Sequence, residues 1–94
     1  MNIELTLIGK PGCHLCEVAQ DAVARVIASF EADQKSVKVS LTEKNILEDA
    51  ELAARYSEEI PVLLINGKVH NYWRIDEERF ALALNDLATQ AATE

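Results

Sequence analysis

Basic residues are scarce in this sequence. Nine lysines and arginines stand against sixteen aspartates and glutamates, a formal net charge of −7. Binding at phosphate backbones needs clustered positive charge, so neither nucleic acid nor an anionic membrane surface is an expected partner. The acids are spread through helical patterns (Glu17, Asp21, Glu48, Asp49, Glu51, Glu77, Glu78), which reads as a solvated face. Long apolar runs are also missing: none approaches the ~18 residues of a membrane-spanning helix. Glu4 interrupts the short apolar run at the start and no basic segment precedes it, so no secretory signal is expected and the cytoplasm is the expected compartment. Cysteine is limited to two residues. In a reducing compartment a lone pair is catalytic or metal-binding before it is a structural staple. Repeats and low-complexity segments are absent. The length, 94 residues with 49% apolar, fits one domain over 1–94 with a small core.

What is present centres on Gly12-Cys13-His14-Leu15-Cys16. A β-like run, Ile3 to Ile8, ends just before this stretch, and an amphipathic helix pattern begins with it. Thiol–disulfide chemistry needs this arrangement. A thiolate at a helix N-terminus meets unpaired backbone N–H groups and the positive end of the helix dipole. Both favour S⁻ over SH, so the thiol pKa falls. Cys16 lies one helical turn on, within reach of the Cys13 sulfur.

Ile3, Leu5 and Leu7 alternate with Glu4 and Thr6, and Ile8 adds an apolar residue on the second side. That pattern predicts a strand covered on both faces at its end, hence central. Pro11 fixes φ and Gly12 leaves the approach to Cys13 open. Leu15, Val18, Ala19, Ala22, Val23, Val26, Ile27 and Phe30 form one helical stripe over 14–30, with Cys13 at or near the N-cap. Val37, Val39 and Leu41 alternate with polar residues as a half-exposed strand near a sheet edge, and 43–47 reads as a loop. Glu48 and Asp49 suit the first turn of a short helix to about Tyr56. Ile60 to Ile65 reads as an apolar strand with Pro61 at its mouth. Asn66-Gly67 is a hairpin signal, and Lys68 to about Trp73 returns as the partner strand. Asp76 caps a last helix carrying Phe80, Ala83, Leu84, Leu87 and Ala88, with fraying expected from Ala91 to Glu94. The order is β-α-β-α-β-β-α. The fold class is α/β, a four-stranded mixed sheet with a right-handed parallel first crossover and helices on both faces.

This order, with Cys-x-x-Cys at the first strand-to-helix junction, resembles the thioredoxin fold in its glutaredoxin-like form from Ile3 to about Leu87. Three stretches carry the resemblance: Gly9-Lys10-Pro11-Gly12-Cys13-His14-Leu15-Cys16, Ile60-Pro61-Val62, and Leu63-Leu64-Ile65-Asn66-Gly67-Lys68. The sequence is most similar to a bacterial glutaredoxin-like group with a Gly-Cys-His-Leu-Cys signature. The resemblance implies a thiol–disulfide oxidoreductase with Cys13 as nucleophile and Cys16 as the residue that resolves the mixed disulfide. It implies a cis Pro61, whose bond would bring the Ile60 backbone to the cysteines to pair with an extended thiol substrate. It implies no required cofactor, and as partners a disulfide-containing protein or small thiol, with glutathione or a reductase recharging the dithiol. Glutathione is a candidate co-substrate. However, Asn71-Tyr72-Trp73-Arg74-Ile75-Asp76 stands where familiar glutaredoxins carry a Gly-Gly pair followed by aspartate.

Other residues carry paired readings. Protonated His14 would stabilise the Cys13 thiolate, or it is an exposed helix-start residue. The Leu15 N–H is free to donate toward the Cys13 sulfur, or Leu15 covers Cys16. Lys10 supplies a positive charge near Cys13 or meets a substrate carboxylate, or it is solvated. Alternation puts one of Tyr72 and Trp73 inward and one outward; an exposed aromatic beside the cysteines would bind a protein substrate, with packing beneath the last helix the commoner outcome. Arg74 binds a substrate carboxylate or, the favoured reading, pairs with Asp76 or Glu78, and His70 is expected to lie at the surface. Two rival functions remain. One is Cu or Zn binding through Cys13, Cys16 and His14, or a cluster shared across a dimer, although a closed zinc site wants four ligands. The other is a non-catalytic binding domain that keeps the fold.

Overall fold

The computed structural model describes residues 2–93. Its elements are β1 (Asn2–Gly9), α1 (His14–Asp33), β2 (Lys38–Asn45), a 3-10 turn (Ile46–Glu48), α2 (Ala50–Tyr56), β3 (Val62–Ile65), β4 (Lys68–Tyr72) and α3 (Glu77–Thr93). The fraying expected over 91–94 lies outside the residues whose side chains are described. The sheet order is β2-β1-β3-β4. β1 runs parallel to β2 and antiparallel to β3, and β3 is antiparallel to β4. The mixed α/β fold and the central place of β1 are as the sequence pattern predicts.

Two apolar clusters lie on opposite faces of the sheet. Ile3, Leu5 and Leu7 of β1 and Leu63 of β3 face α1 (Ala19, Val23, Val26, Phe30) and α3 (Phe80, Leu84, Ala88). Phe80 and Leu84 are fully buried, and each such burial contributes about 1.5–3 kcal/mol. Ile8 and Val62 point the other way, into a smaller cluster with Ile46, Tyr56, Ile60 and Cys16. The apolar residue that breaks alternation at the end of β1 thus serves a second core at the end of the strand that leads to the cysteines.

Local chemistry sets the connections. Asn66 and Gly67 take φ of +50° and +83°, the two left-handed positions of a type I′ hairpin turn. The Asn66 side chain also accepts from the Glu4 N–H at 2.9 Å, tying the turn to β1. Asp49 caps α2 by accepting from the Glu51 and Leu52 amides. Asp76 does the same for α3 through the Arg79 amide at 3.1 Å.

Three expectations fail here. Residues 43–47 are not a loop: β2 pairs with β1 through Gly9 opposite Asn45, and the 3-10 turn follows at once. Ladder pairing with a buried neighbour overrides the polar Glu-Lys-Asn sequence. Leu15 and Val18 belong to the helical stripe but not to the core; they are 38% and 48% exposed, because the buried face of these first turns is the one that carries Cys16 and Ala19. His70 is not a surface residue. The β3–β4 register shifts between Leu63, opposite Asn71, and Leu64, opposite Val69, so His70 is the bulged residue. A bulge breaks alternation, and His70 turns toward Phe80, with ring centroids 6.0 Å apart.

Candidate active site

The chain leaves β1 at Gly9 and reaches α1 through Lys10, Pro11 and Gly12. Gly12 takes φ +74°, a conformation that costs glycine little. Cys13 is then extended (φ −96°, ψ 112°) and forms the N-cap of α1. Its sulfur accepts from the Cys16 N–H at 3.2 Å, and its carbonyl accepts from the Glu17 N–H at 3.1 Å. A sulfur therefore stands where Ser, Thr or Asp ordinarily satisfies an orphan helix amide. The donor is Cys16 rather than the expected Leu15. N-cap side chains reach either the second or the third helical amide, and here the third takes the bond.

Cys13 and Cys16 are joined as a disulfide, with Cα atoms 5.2 Å apart. The two sulfurs are not equivalent. Cys13 is half-buried, whereas Cys16 is 5% exposed and sits in the smaller core. The last residue of β1 forms the floor beneath Cys16. A Cβ at Gly9 would stand 2.9 Å from the Cys16 sulfur and 3.2 Å from its Cβ. This packing role of Gly9 has no sequence signal beyond its being glycine at a strand end.

The remaining predicted site residues divide into two groups. Ile60 and Pro61 are buried, and the peptide bond between them is cis. Ile60 shares the smaller core with Cys16, and Cys13 packs against that cluster. Neither the N–H nor the C=O of Ile60 has a hydrogen-bond partner among the described residues. The Pro61 carbonyl accepts from the Trp73 N–H at 2.7 Å. Lys10 and His14 line two different clefts. Lys10 is exposed and lines a cleft of about 300 Å³ with Gly9, Gly12, Cys16 and Lys44. His14, the first residue of α1, lines a second groove with Leu15 and Trp73.

The β4–α3 connection departs from expectation. Tyr72 and Trp73 are both exposed, because Trp73 takes φ +61° and leaves strand alternation. Arg74 pairs with neither Asp76 nor Glu78. The ion pair among the described residues is Arg25 with Glu77, at 3.0 Å. Hydrogen bonding and charge between these two raise the Arg25 pKa and lower that of Glu77. Among the described residues no three His, Cys, Asp or Glu side chains are grouped as a metal site would need. No helix among them is long and apolar enough to cross a membrane.

The chain is similar to known proteins in sequence and fold. A protein of Mycobacterium tuberculosis (strain ATCC 25618 / H37Rv) is 25% identical over 76 residues, covering 81% of this chain and 76% of its own. The X-ray structure of a structural-genomics target protein from X. campestris superposes with a TM-score of 0.67 at 28% identity, covering 87% of this chain and 96% of that one. Oxidized mitochondrial thioredoxin 3 from Saccharomyces cerevisiae shares the fold, with a TM-score of 0.57 at 15% identity over 89% of this chain and 77% of that one. Residues 4–85 match the pattern of the glutaredoxin-like domain (DUF836), and the chain belongs to that family of thioredoxin-fold proteins.

Proposed function

We propose that this chain is a thiol–disulfide oxidoreductase that reduces disulfides by a two-cysteine route. The observation that carries the reading is the asymmetric pair at the start of α1: a half-buried cysteine whose sulfur caps the helix and a buried cysteine joined to it. In the reduced protein a thiolate at the cap position is favoured by the helix amides and dipole. The Cys13 thiolate attacks a substrate disulfide. A Cys13–substrate bond forms, the substrate disulfide breaks, and the second substrate sulfur leaves as a thiolate. Cys16 then loses its proton and attacks Cys13, forming the intramolecular disulfide and expelling the first substrate sulfur. The substrate gains two electrons and the protein loses two. A thiol reductant, glutathione or a reductase, returns the dithiol.

Two further features support the role. The free Ile60 backbone edge lies in the cluster that holds Cys16, where an extended substrate can pair with it. Lys10 and His14 bring positive or protonatable side chains close in sequence to the cysteine pair, in a chain of net charge −7. The test is trapping. A Cys16→Ser protein mixed with a disulfide substrate should accumulate a covalent adduct on Cys13, seen by mass after digestion, and Cys13→Ser should give none. Equal reduction of the substrate by Cys13→Ser and the native protein would sink the assignment.

A further inference from the structure

The apolar stripe of α1 does not end with the core. Its first turns, Leu15, Val18 and Ala22, form one wall of a groove of about 390 Å³ whose other wall is Trp73 and Ile75. His14, the residue that follows Cys13 in the chain, is one of its lining residues, so the groove runs along the first turns of the helix that Cys13 caps.

Trp73 is held in an unusual way. A bulky residue at φ +61° is an outlier, and such conformations persist only where surrounding bonds fix them. Here the Trp73 N–H donates to the Pro61 carbonyl at 2.7 Å, and the indole N–H donates to the Glu58 carbonyl at 3.1 Å. Yet the side chain remains 53% exposed. Two hydrogen bonds thus fix a large aromatic surface that the fold itself does not cover. Arg74, at the rim, is exposed and has no ion-pair partner among the described residues, whereas Arg25 across the groove is neutralised by Glu77. The groove therefore offers an apolar floor and one uncompensated positive charge.

Resting on the oxidoreductase reading above, the geometry points to a protein substrate. It is presented as an extended segment whose cysteine meets Cys13, whose neighbouring apolar side chain lies between Leu15, Val18 and Trp73, and whose nearby carboxylate pairs with Arg74. Trp73 is the residue that selects this substrate. A rigid, half-exposed aromatic supplies contact area at low entropic cost, and the charge of Arg74 matches a carboxylate rather than a second cation.

The experiment is a single-turnover reduction by the pre-reduced full chain. The probes are cysteine peptides linked by a disulfide to thionitrobenzoate, whose release is read by absorbance. Thionitrobenzoate is the better leaving group, so Cys13 attacks the peptide sulfur. Cys16 then displaces the peptide, and the protein ends as the disulfide. One peptide carries leucine and glutamate beside its cysteine, a second carries serine and lysine, and glutathione linked to thionitrobenzoate is the third probe. The leucine–glutamate peptide should react fastest, by roughly tenfold. Trp73→Gly, which suits a positive φ, and Val18→Gln, on an exposed helical position, should each abolish most of that preference. Leu82→Ser, exposed on the far helix α3, should retain it. A preference that survives Trp73→Gly and Val18→Gln, or a faster reaction with the glutathione probe, overturns the groove assignment while leaving the redox reading intact. A native protein inert toward all three probes overturns both.

Discussion

Gly9 gives the sharpest test of how the strand end holds the buried sulfur. Replacing it by alanine places a Cβ 2.9 Å from the Cys16 sulfur, half an ångström inside the 3.4 Å at which ordinary contact begins. The backbone at Gly9 needs no positive φ, so alanine itself is tolerated there and the unfolded chain is stiffened, a gain of about 0.4–1 kcal/mol. Against this stands overpacking of a closed core, which costs typically 1–3 kcal/mol. In the disulfide form the sulfur is tied to Cys13 and cannot rotate away, so the clash is felt in full. In the dithiol form the side chain can turn, and part of the strain is released. Gly9→Ala should therefore destabilise the oxidised protein by about 1–2 kcal/mol and the reduced protein by less. Each 1.4 kcal/mol of that difference makes the disulfide more easily reduced by about 30 mV. Urea unfolding of both redox forms, with a glutathione redox titration, reads the two quantities independently. Equal destabilisation of both forms, or a potential unchanged in the variant, would refute the claim that Gly9 sets the space for Cys16.

Three further outcomes follow from other parts of the molecule. His70 has a buried Nε2 without a partner among the described residues, and its pKa is lowered, first by burial and then by Arg79, with Asp76 opposing. The unfolded chain therefore binds a proton that the folded chain resists. Stability contributed by neutral His70 is present above the ordinary value of 6.5 and is lost as pH falls below it toward the lower folded value. Comparing urea midpoints at pH 7.5 and 5.0, His70→Phe should show a smaller acid loss than the native protein; an unchanged pH slope counts against the burial. Asp76→Ala removes the cap of α3 and should cost about 0.5–2 kcal/mol in chemical denaturation; no loss would show that the cap bond is not formed in solution. Arg25→Ala breaks an ion pair between two exposed side chains. It should leave the denaturation midpoint close to native and salt-insensitive, because exposed pairs gain little over water.

Period-2 and period-3.6 patterns made most of the fold legible. Ile3, Leu5 and Leu7 against Ile8 foretold a strand with two covered faces, and Asn66-Gly67 foretold the type I′ turn. Cys13 as N-cap followed from where the helical stripe begins. What failed had a common cause: position in space decides what periodicity cannot. Leu15 and Val18 fit the stripe, yet the first turns of α1 bury Cys16 and Ala19 instead. One bulged residue turned His70 inward, and one left-handed residue turned Trp73 off the strand. The contact of Gly9 with Cys16 joins a strand to a helix across a turn, and no local pattern encodes it.

The most direct measurement is a redox titration of the purified protein, metal-free, across glutathione buffers, quenched by alkylation and read by mass. The dithiol account expects a single reversible two-electron transition in which Cys13 and Cys16 lose alkylation together and the chain becomes two hydrogens lighter. Cysteines that remain fully alkylated at every ratio of oxidised to reduced glutathione would contradict it.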